Sequence, residues 1–259
     1  MKIAVFVKQV PDSAAKITLE NGKVDWGDAP LVINPWDEYA VEAALQLGEE
    51  HGAEVVAMSV GGESAQEALK HALAMGCNEA ILISDPELAG ADAGAAAKVL
   101  AAAIEKQGDV ELAVFGKQAI DSDTGLAPAM TGRGLGWPTL TLVAAMKAFD
   151  PAAKTLTVER SMEEGRQIVE ATLPAVVSIA KDFGEPRYPS FMGIRKASKA
   201  EIPVWSLADL GTEAPKAQVS WPELMSPPAR EQKSEMIDGD SPEEIAAKLV
   251  DKIMAEGVL

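Results

Sequence analysis

The chain has one cysteine, Cys77, among 259 residues. That scarcity excludes an internal disulfide framework and any cysteine-cluster metal site. Cys77 lies in the apolar segment Ala72 to Ile83, where a small buried residue is the expected role. Histidine is nearly as scarce: His51 and His71 fall on predicted helices without neighbouring metal-type ligands, and both read as surface or helix-end residues. Positive charge is in short supply as well, with 23 Lys and Arg against 40 Asp and Glu and a formal net charge of −17. A general nucleic-acid binder needs a basic footprint to neutralise phosphates, so the charge balance argues against that class. An acidic surface suits solubility and a basic patch on a partner. No run approaches the roughly 20 apolar residues that cross a bilayer, so direct membrane insertion is not expected. The opening MKIAVFVKQVPD reads as a strand and turn, because its apolar part is short and lacks a small-residue cleavage site. The expectation is a soluble, intracellular protein.

What is present is a 47% apolar chain with strands and helices in alternation. Lys2 to Val7, Glu54 to Val60, Glu79 to Ser84 and Leu112 to Phe115 read as short apolar strands. Helices are expected from about Glu38 to His51, Ser64 to Met75 and Asp92 to Lys106, the last because alanine loses little freedom in a helix. A hairpin is expected over Lys16 to Val24, turning at Asn21 and Gly22. This alternation predicts a doubly wound, mainly parallel sheet with right-handed crossovers. Beyond Pro138, the segments Thr139 to Phe149, Thr155 to Arg160, Arg166 to Leu173 and Ala175 to Ala180 read as antiparallel additions to that sheet. Residues 1–184 would form an α/β domain, and 185–259 a proline-rich C-terminal arm. Short helices are expected in the arm at Met192 to Ala200 and within Ser206 to Leu210. A terminal helix should run from Pro242 to Glu256, capped by Ser241.

The stretch Leu112 to Pro138 carries the chemistry. An apolar strand ends at Gly116, and Lys117, Gln118, Asp121, Ser122, Asp123 and Thr124 put polar groups at its carboxyl end, where open α/β sheets bind ligands. Asp121 to Thr124 all suit a helix N-cap, and a helix from Gly125 to Gly134 would offer free amides to an anion. The same features suit an ordinary capped βα turn. No Walker-type lysine follows and no nucleophile is paired with a histidine, which disfavours a nucleotide-hydrolysing or nucleotide-transferring enzyme.

Five segments in order, VKQVPD at Val7 to Asp12, INPWDEYAVEAAL at Ile33 to Leu45, ALAMG at Ala72 to Gly76, GKQAIDSDTG at Gly116 to Gly125 and EPRYPSFMGIRKASK at Glu185 to Lys199, resemble the small (β) subunit of electron-transfer flavoproteins. The resemblance implies a Rossmann-like fold of the adenine nucleotide alpha hydrolase-like kind. It implies a heterodimer with an α-subunit that holds most of the FAD site, AMP bound in this chain, and no substrate chemistry of its own. It places Phe6 and Lys8 near the nucleotide, Asn34, Pro35, Trp36 and Asp37 along the adenosine, and Val60 at the pocket's edge. Gly116, Lys117, Gln118, Ala119, Ile120, Asp121, Ser122, Asp123, Thr124, Gly125, Leu126 and Ala127 would wrap phosphate and ribose. The segment Arg187 to Lys199 would be a recognition loop for acyl-CoA or other flavin dehydrogenases, through Arg187, Tyr188, Phe191, Met192, Ile194, Arg195 and Lys196, with Phe191 as apolar anchor. A solvent-exposed arm with an incidentally buried phenylalanine is the competing reading. Electrons would pass on to electron-transfer flavoprotein:quinone oxidoreductase or another acceptor.

Two departures from the family pattern matter. Ser13 stands where some members place a tyrosine facing the flavin. Ser122 to Pro128 matches neither the AMP-binding members nor the electron-bifurcating members that hold a second FAD in place of AMP, so both ligands stay open, with AMP first. The resemblance implies a cytoplasmic location in a bacterium or archaeon, and the mitochondrial matrix in a eukaryote.

Overall fold

The computed structural model describes residues 1–20, 22–221, 223–226, 228 and 234–257. Met1–Leu224 forms one compact unit and Met225–Leu259 a second. In the first, the elements run β1 (Lys2–Phe6), β2 (Gln9–Pro11), β3 (Thr18–Glu20), β4 (Lys23–Asp25), β5 (Leu31–Ile33), α1 (Pro35–His51), β6 (Glu54–Val60), α2 (Gln66–Met75), β7 (Glu79–Ile83), α3 (Ala93–Gln107) and β8 (Val110–Gly116). They continue through α4 (Ala127–Leu135), β9 (Thr139–Asp150), β10 (Thr155–Met162), β11 (Gly165–Thr172), β12 (Ala175–Ile179), α5 (Phe191–Ala197), β13 (Val204–Trp205) and α6 (Leu207–Leu210). The second unit contains α7 (Pro242–Glu256), whose N-cap Ser241 accepts the Glu244 amide at 3.3 Å.

Nine strands form one sheet in the order β11-β10-β9-β12-β8-β1-β6-β7-β13. Successive side chains of a strand point to opposite faces, and the apolar runs feed both. Ile3, Val5, Val55, Leu112 and Val114 pack on one face with Val41, Leu45 and Leu69 from α1 and α2. Ala4, Phe6, Val56, Met58 and Ala113 pack on the other with Val99, Ala103 and Ile104 of α3. Burial on both faces is what a parallel sheet requires, and it explains why these strands read as continuous apolar runs. Cys77 is buried in the first of these layers, and burial pushes its thiol up to about 12.

Three elements differ from the sequence expectations. Of the four strands after Pro138, only β10 and β11 run antiparallel to their neighbours; β12 lies parallel to both β8 and β9. The chain returns from the β10–β11 hairpin and inserts β12 between them, where all five of its residues are buried. Helix α1 starts at Pro35 rather than Glu38, because proline is pre-organised for a first turn. Helix α4 starts at Ala127 rather than Gly125, since Gly125 adopts a left-handed φ of 60°. The β3–β4 hairpin pairs as expected, Glu20 opposite Lys23; of its turn residues, Asn21 lies outside the described residues.

Part of the C-terminal arm completes the sheet. Leu82 and Ser84 donate their amides to the Pro203 and Trp205 carbonyls at 2.9 Å, adding β13 beside β7. No helix among the described residues is long and apolar enough to cross a membrane.

Candidate functional site

A cleft of about 840 Å³ opens at the carboxyl ends of β1, β6, β7 and β8. One wall is the loop between β8 and α4, and its shape follows from a few contacts. Asn34 is fully buried and uses its whole side-chain amide: Nδ2 donates to the Gln118 carbonyl at 2.8 Å, and Oδ1 accepts the Ile120 amide at 3.2 Å. That commitment is why Asn34 precedes α1 without capping it. Within the loop, Gln118 Nε2 donates to Asp123 Oδ1 at 2.8 Å, and the Asp123 amide donates to the Ala119 carbonyl at 2.8 Å. Asp123 and Gly125 take φ of 49° and 60°, so the chain folds back on itself before α4. Lys8 Nζ pairs with Asp121 at 2.6 Å and ties the loop to β1.

Asp37 sits beneath this loop. Its Oδ2 accepts the Lys8 amide at 2.8 Å, and only 7% of the residue is exposed. Burial raises its carboxyl from the ordinary 3.8 to about 7, against the opposing pull of Asn34, the Lys8 amide and charge, and the Gly116 amide. Gly116 has no room for a side chain, because a Cβ there would stand 2.7 Å from the Trp36 carbonyl oxygen and collide with Asp37. Phe6 and Phe115 stack with centroids 4.5 Å apart and give the cleft an aromatic floor.

The loop's acidic and hydroxyl residues do not cap α4, contrary to the sequence expectation. Leu126 is the N-cap and makes no side-chain hydrogen bond, while Pro128 occupies the first turn. Asp121 and Asp123 are held instead by Lys8 and Gln118. The first amides of α4 are therefore left without a side-chain acceptor, beside cleft-lining Leu126 and Ala127.

Phe6, Lys8, Asp37, Val60, Gly116, Gln118, Ala119, Ser122, Thr124, Gly125, Leu126 and Ala127 line the cleft. Asn34, Ile120, Asp121 and Asp123 stand behind it as supports, Pro35 opens α1, and Lys117 Nζ lies 5.2 Å from the centroid of Trp36. Sequence reasoning missed the opposite wall, which includes Ser84, Asp85, Asp92, Gly94, Gln218 and Trp221. Ser84 to Asp92 follows a strand and precedes a helix, the same carboxyl-end signal that pointed to Gly116. Gln218 and Trp221 carry no local signal.

The segment from Arg187 to Lys196 occupies a different surface. Tyr188, Phe191, Met192 and Ile194 are 93%, 80%, 68% and 53% exposed, and Arg195 and Lys196 are also exposed, so Phe191 is not buried. Arg187 faces inward, with Nε 2.8 Å from Glu42 Oε2 and Nη1 2.5 Å from Glu49 Oε1 on α1. Helix α5 is capped by Ser190 and lies against the end of α2, where a Cβ on Gly193 would meet the Ala74 carbonyl. Gly193→Ala should cost about 2 kcal/mol through this overpacking. Urea unfolding measures the loss, and amide exchange at 191–197 should accelerate more than in β1.

A doubly wound, mainly parallel α/β sheet with an open cleft at its carboxyl edge places the first unit in the Rossmann-like class. The profile of the electron transfer flavoprotein domain matches residues 24–210. Along its full length the chain is 37% identical to the caffeyl-CoA reductase-Etf complex subunit CarD of Acetobacterium woodii, covering 100% of both chains. It is 34% identical to the electron transfer flavoprotein subunit beta of Bacillus subtilis over 99% of this chain and 98% of that one. It is also 35% identical to protein FixA of Azorhizobium caulinodans over 82% and 78% of the two chains. The chain belongs to the electron transfer flavoprotein family, as a small (β-type) subunit. Its general role is electron transfer within a flavoprotein complex.

Proposed function

We propose that this β-type subunit binds AMP in the cleft between β1, β8 and α4, pairs with an α-subunit that holds FAD, and docks partner flavin dehydrogenases through Tyr188 to Lys196. The observation that carries the nucleotide reading is the loop from Gly116 to Ala127, folded by Asn34 and Asp123 into a cradle that ends on the uncapped amides of α4. Such a terminus, with its partial positive charge, suits a phosphate. Gly116 lets the end of β8 close onto Trp36 and Asp37 at the start of α1, which sets the path of the loop that lines the cleft. Bound FAD supplies the electron-accepting ring, and this chain's residues contribute binding and orientation. The exposed apolar cluster at Tyr188, Phe191, Met192 and Ile194, flanked by Arg195 and Lys196, is what supports docking of an acidic, partly apolar surface. Electrons would pass to a quinone oxidoreductase or another acceptor.

A second FAD in place of AMP is the alternative. The cleft's volume, about 840 Å³, stands in the upper part of the ~300–1,000 Å³ range of small-molecule sites and is roomy for a mononucleotide. The test is to co-purify the chain with its α-subunit, denature the complex and quantify the released nucleotides by chromatography. One FAD and one AMP per heterodimer is the expected result. Two FAD without AMP would select the alternative, and no adenine nucleotide beyond the α-subunit's FAD would refute a nucleotide site in this chain.

A further inference from the structure

The wall of the cleft opposite the loop is partly built from the arm, and one carboxylate holds it there. Asp92 Oδ1 accepts the Ala95 amide at 2.7 Å and caps α3. Its Oδ2 accepts two more amides, from Gln218 at 2.6 Å and Val219 at 2.9 Å. An N-cap needs only the first of these bonds. The other two reach a segment 126 residues further along the chain and bring it to the cleft's edge. Asp85 ties the arm a second time, accepting the Glu87 amide on Oδ1 and the Leu207 amide on Oδ2 at 3.2 Å, but Leu207 is buried against the sheet away from the cleft. Among the described residues, only the Asp92 tie delivers arm residues to the ligand space.

Two of those residues are apolar and outward. Val219 and Trp221 line the cleft while being 61% and 77% exposed, and Leu126 and Met130 of the α4 side line it while half-exposed. An exposed apolar rim around a cleft marks a place where something apolar is received. The start of α4 beside Leu126 and Ala127 offers backbone amides at the same cleft, and the nucleotide reading supplies an occupant with both an anionic group and a flat ring. An indole face stacks on any nucleobase without reading its identity.

We infer that residues 218–221 form a retaining strap along the nucleotide cleft, latched by Asp92 Oδ2 and presenting Trp221 as a stacking face for the base. Release of the nucleotide then waits on opening of the strap. The inference rests on the nucleotide reading above and adds to it the residues that set ligand residence time. A strap that opens to let the nucleotide out also opens to let it in, while the stacking contact on Trp221 forms only once the base is seated and so acts mainly on dissociation.

Asp92→Asn separates the two jobs of the carboxylate. Asparagine caps a helix as well as aspartate does, but its NH2 group faces the Gln218 and Val219 amides with a donor where they need an acceptor. Val219→Pro removes a donor from the arm side and leaves Asp92 unchanged. The heterodimer is loaded with tritiated AMP, or with radiolabelled FAD, and chased with excess unlabelled nucleotide. Loss of charge-assisted hydrogen bonds should speed release about tenfold or more in both variants. Trp221→Ala should speed release as well. The association rate should stay at the wild-type value in Trp221→Ala, and the melting temperature of nucleotide-free protein should stay at the wild-type value in all three variants, which a merely structural weakening would not allow. Equal release rates from wild type and both latch variants would overturn the strap while leaving the nucleotide reading intact. Failure of the wild type to retain either AMP or FAD would remove both.

Discussion

Between pH 8 and pH 5 the protein gains stability, and Asp37→Asn removes most of that gain. Asp37 is buried under the cleft loop, and burial holds its carboxyl at about 7 instead of the ordinary 3.8. The folded state therefore keeps a proton that the unfolded chain releases. For a raised carboxyl the sign runs against the usual acid lability: the penalty for folding is absent below 3.8, grows as pH rises toward 7 and levels off above it. At about 1.4 kcal/mol per tenfold in proton affinity, the gap between 3.8 and about 7 is on the order of 4 kcal/mol. Asparagine keeps a carbonyl acceptor for the Lys8 amide and carries no charge to desolvate. Urea unfolding should show the variant more stable than wild type by about 4 kcal/mol at pH 8 and by only ~1.6 kcal/mol at pH 5, where the unfolded wild-type chain still gains from ionising Asp37. Parallel stability profiles for the two proteins would show that Asp37 stays ionised in the fold.

The same titration reaches the ligand. Asp37 lines the cleft, and an ionised carboxylate there repels a phosphate, whereas the neutral acid does not. Nucleotide binding should take up a proton near pH 7, so AMP affinity should fall as pH rises through that value in the wild type and stay flatter in Asp37→Asn. Lys8 offsets part of the repulsion, but its ammonium is already paired with Asp121.

The strands at the centre of this fold were readable because burial on both faces leaves a mark along the chain: the apolar runs at Lys2, Glu54 and Leu112 lie side by side as β1, β6 and β8. Gly116 was readable as the end of a buried strand, but its close approach to the start of α1 was not, because Trp36 and Asp37 lie far away in the chain. The misread strand, β12, fails on topology rather than pattern. Its five buried residues look like any parallel strand, but they follow two antiparallel ones, and nothing local says that the chain doubles back to insert between β8 and β9. Capping failed for an energetic reason. Asp121 and Asp123 are good caps in isolation, and each found a stronger partner, an ammonium for one and a side-chain amide for the other. Asp92 and Gln218 stand 126 residues apart, and a lone aspartate before an alanine-rich helix shows only the half of its role that is local.

Arg187→Ala should destabilise the first unit by about 3 kcal/mol, the scale of breaking a buried pair by removing one partner. Arg187 was expected to face a partner protein; its guanidinium instead grips α1. Nε and Nη2 meet the two oxygens of Glu42 at 2.8 and 3.1 Å, Nη1 and Nη2 meet Glu49 at 2.5 and 3.2 Å, and the Arg187 amide adds a bond of 3.0 Å to Glu42. Glu49 is exposed and its share is small, but Glu42 is 5% exposed and, among the described residues, would keep only the amide at position 187 and Gln46 as donors. Lysine in place of Arg187 should recover little, because a point charge does not reproduce a planar fork that serves two carboxylates. The loss has its own pH signature. Burial raises the Glu42 carboxyl, and the bonds from Arg187 and Gln46 outweigh it, leaving Glu42 below its ordinary 4.5. The stability that this pair contributes is present above 4.5 and is lost as pH falls through the lower folded value, so wild type and Arg187→Ala should converge in acid. The functional consequence falls on the neighbouring surface. Freed from α1, the chain that carries Tyr188 and Phe191 into α5 loses its fixed path, and the affinity of a docked partner should drop while nucleotide content stays at the wild-type value. Unchanged docking together with the expected loss of stability would show that Ser190, Gly193 and α2 are enough to position the exposed apolar cluster by themselves.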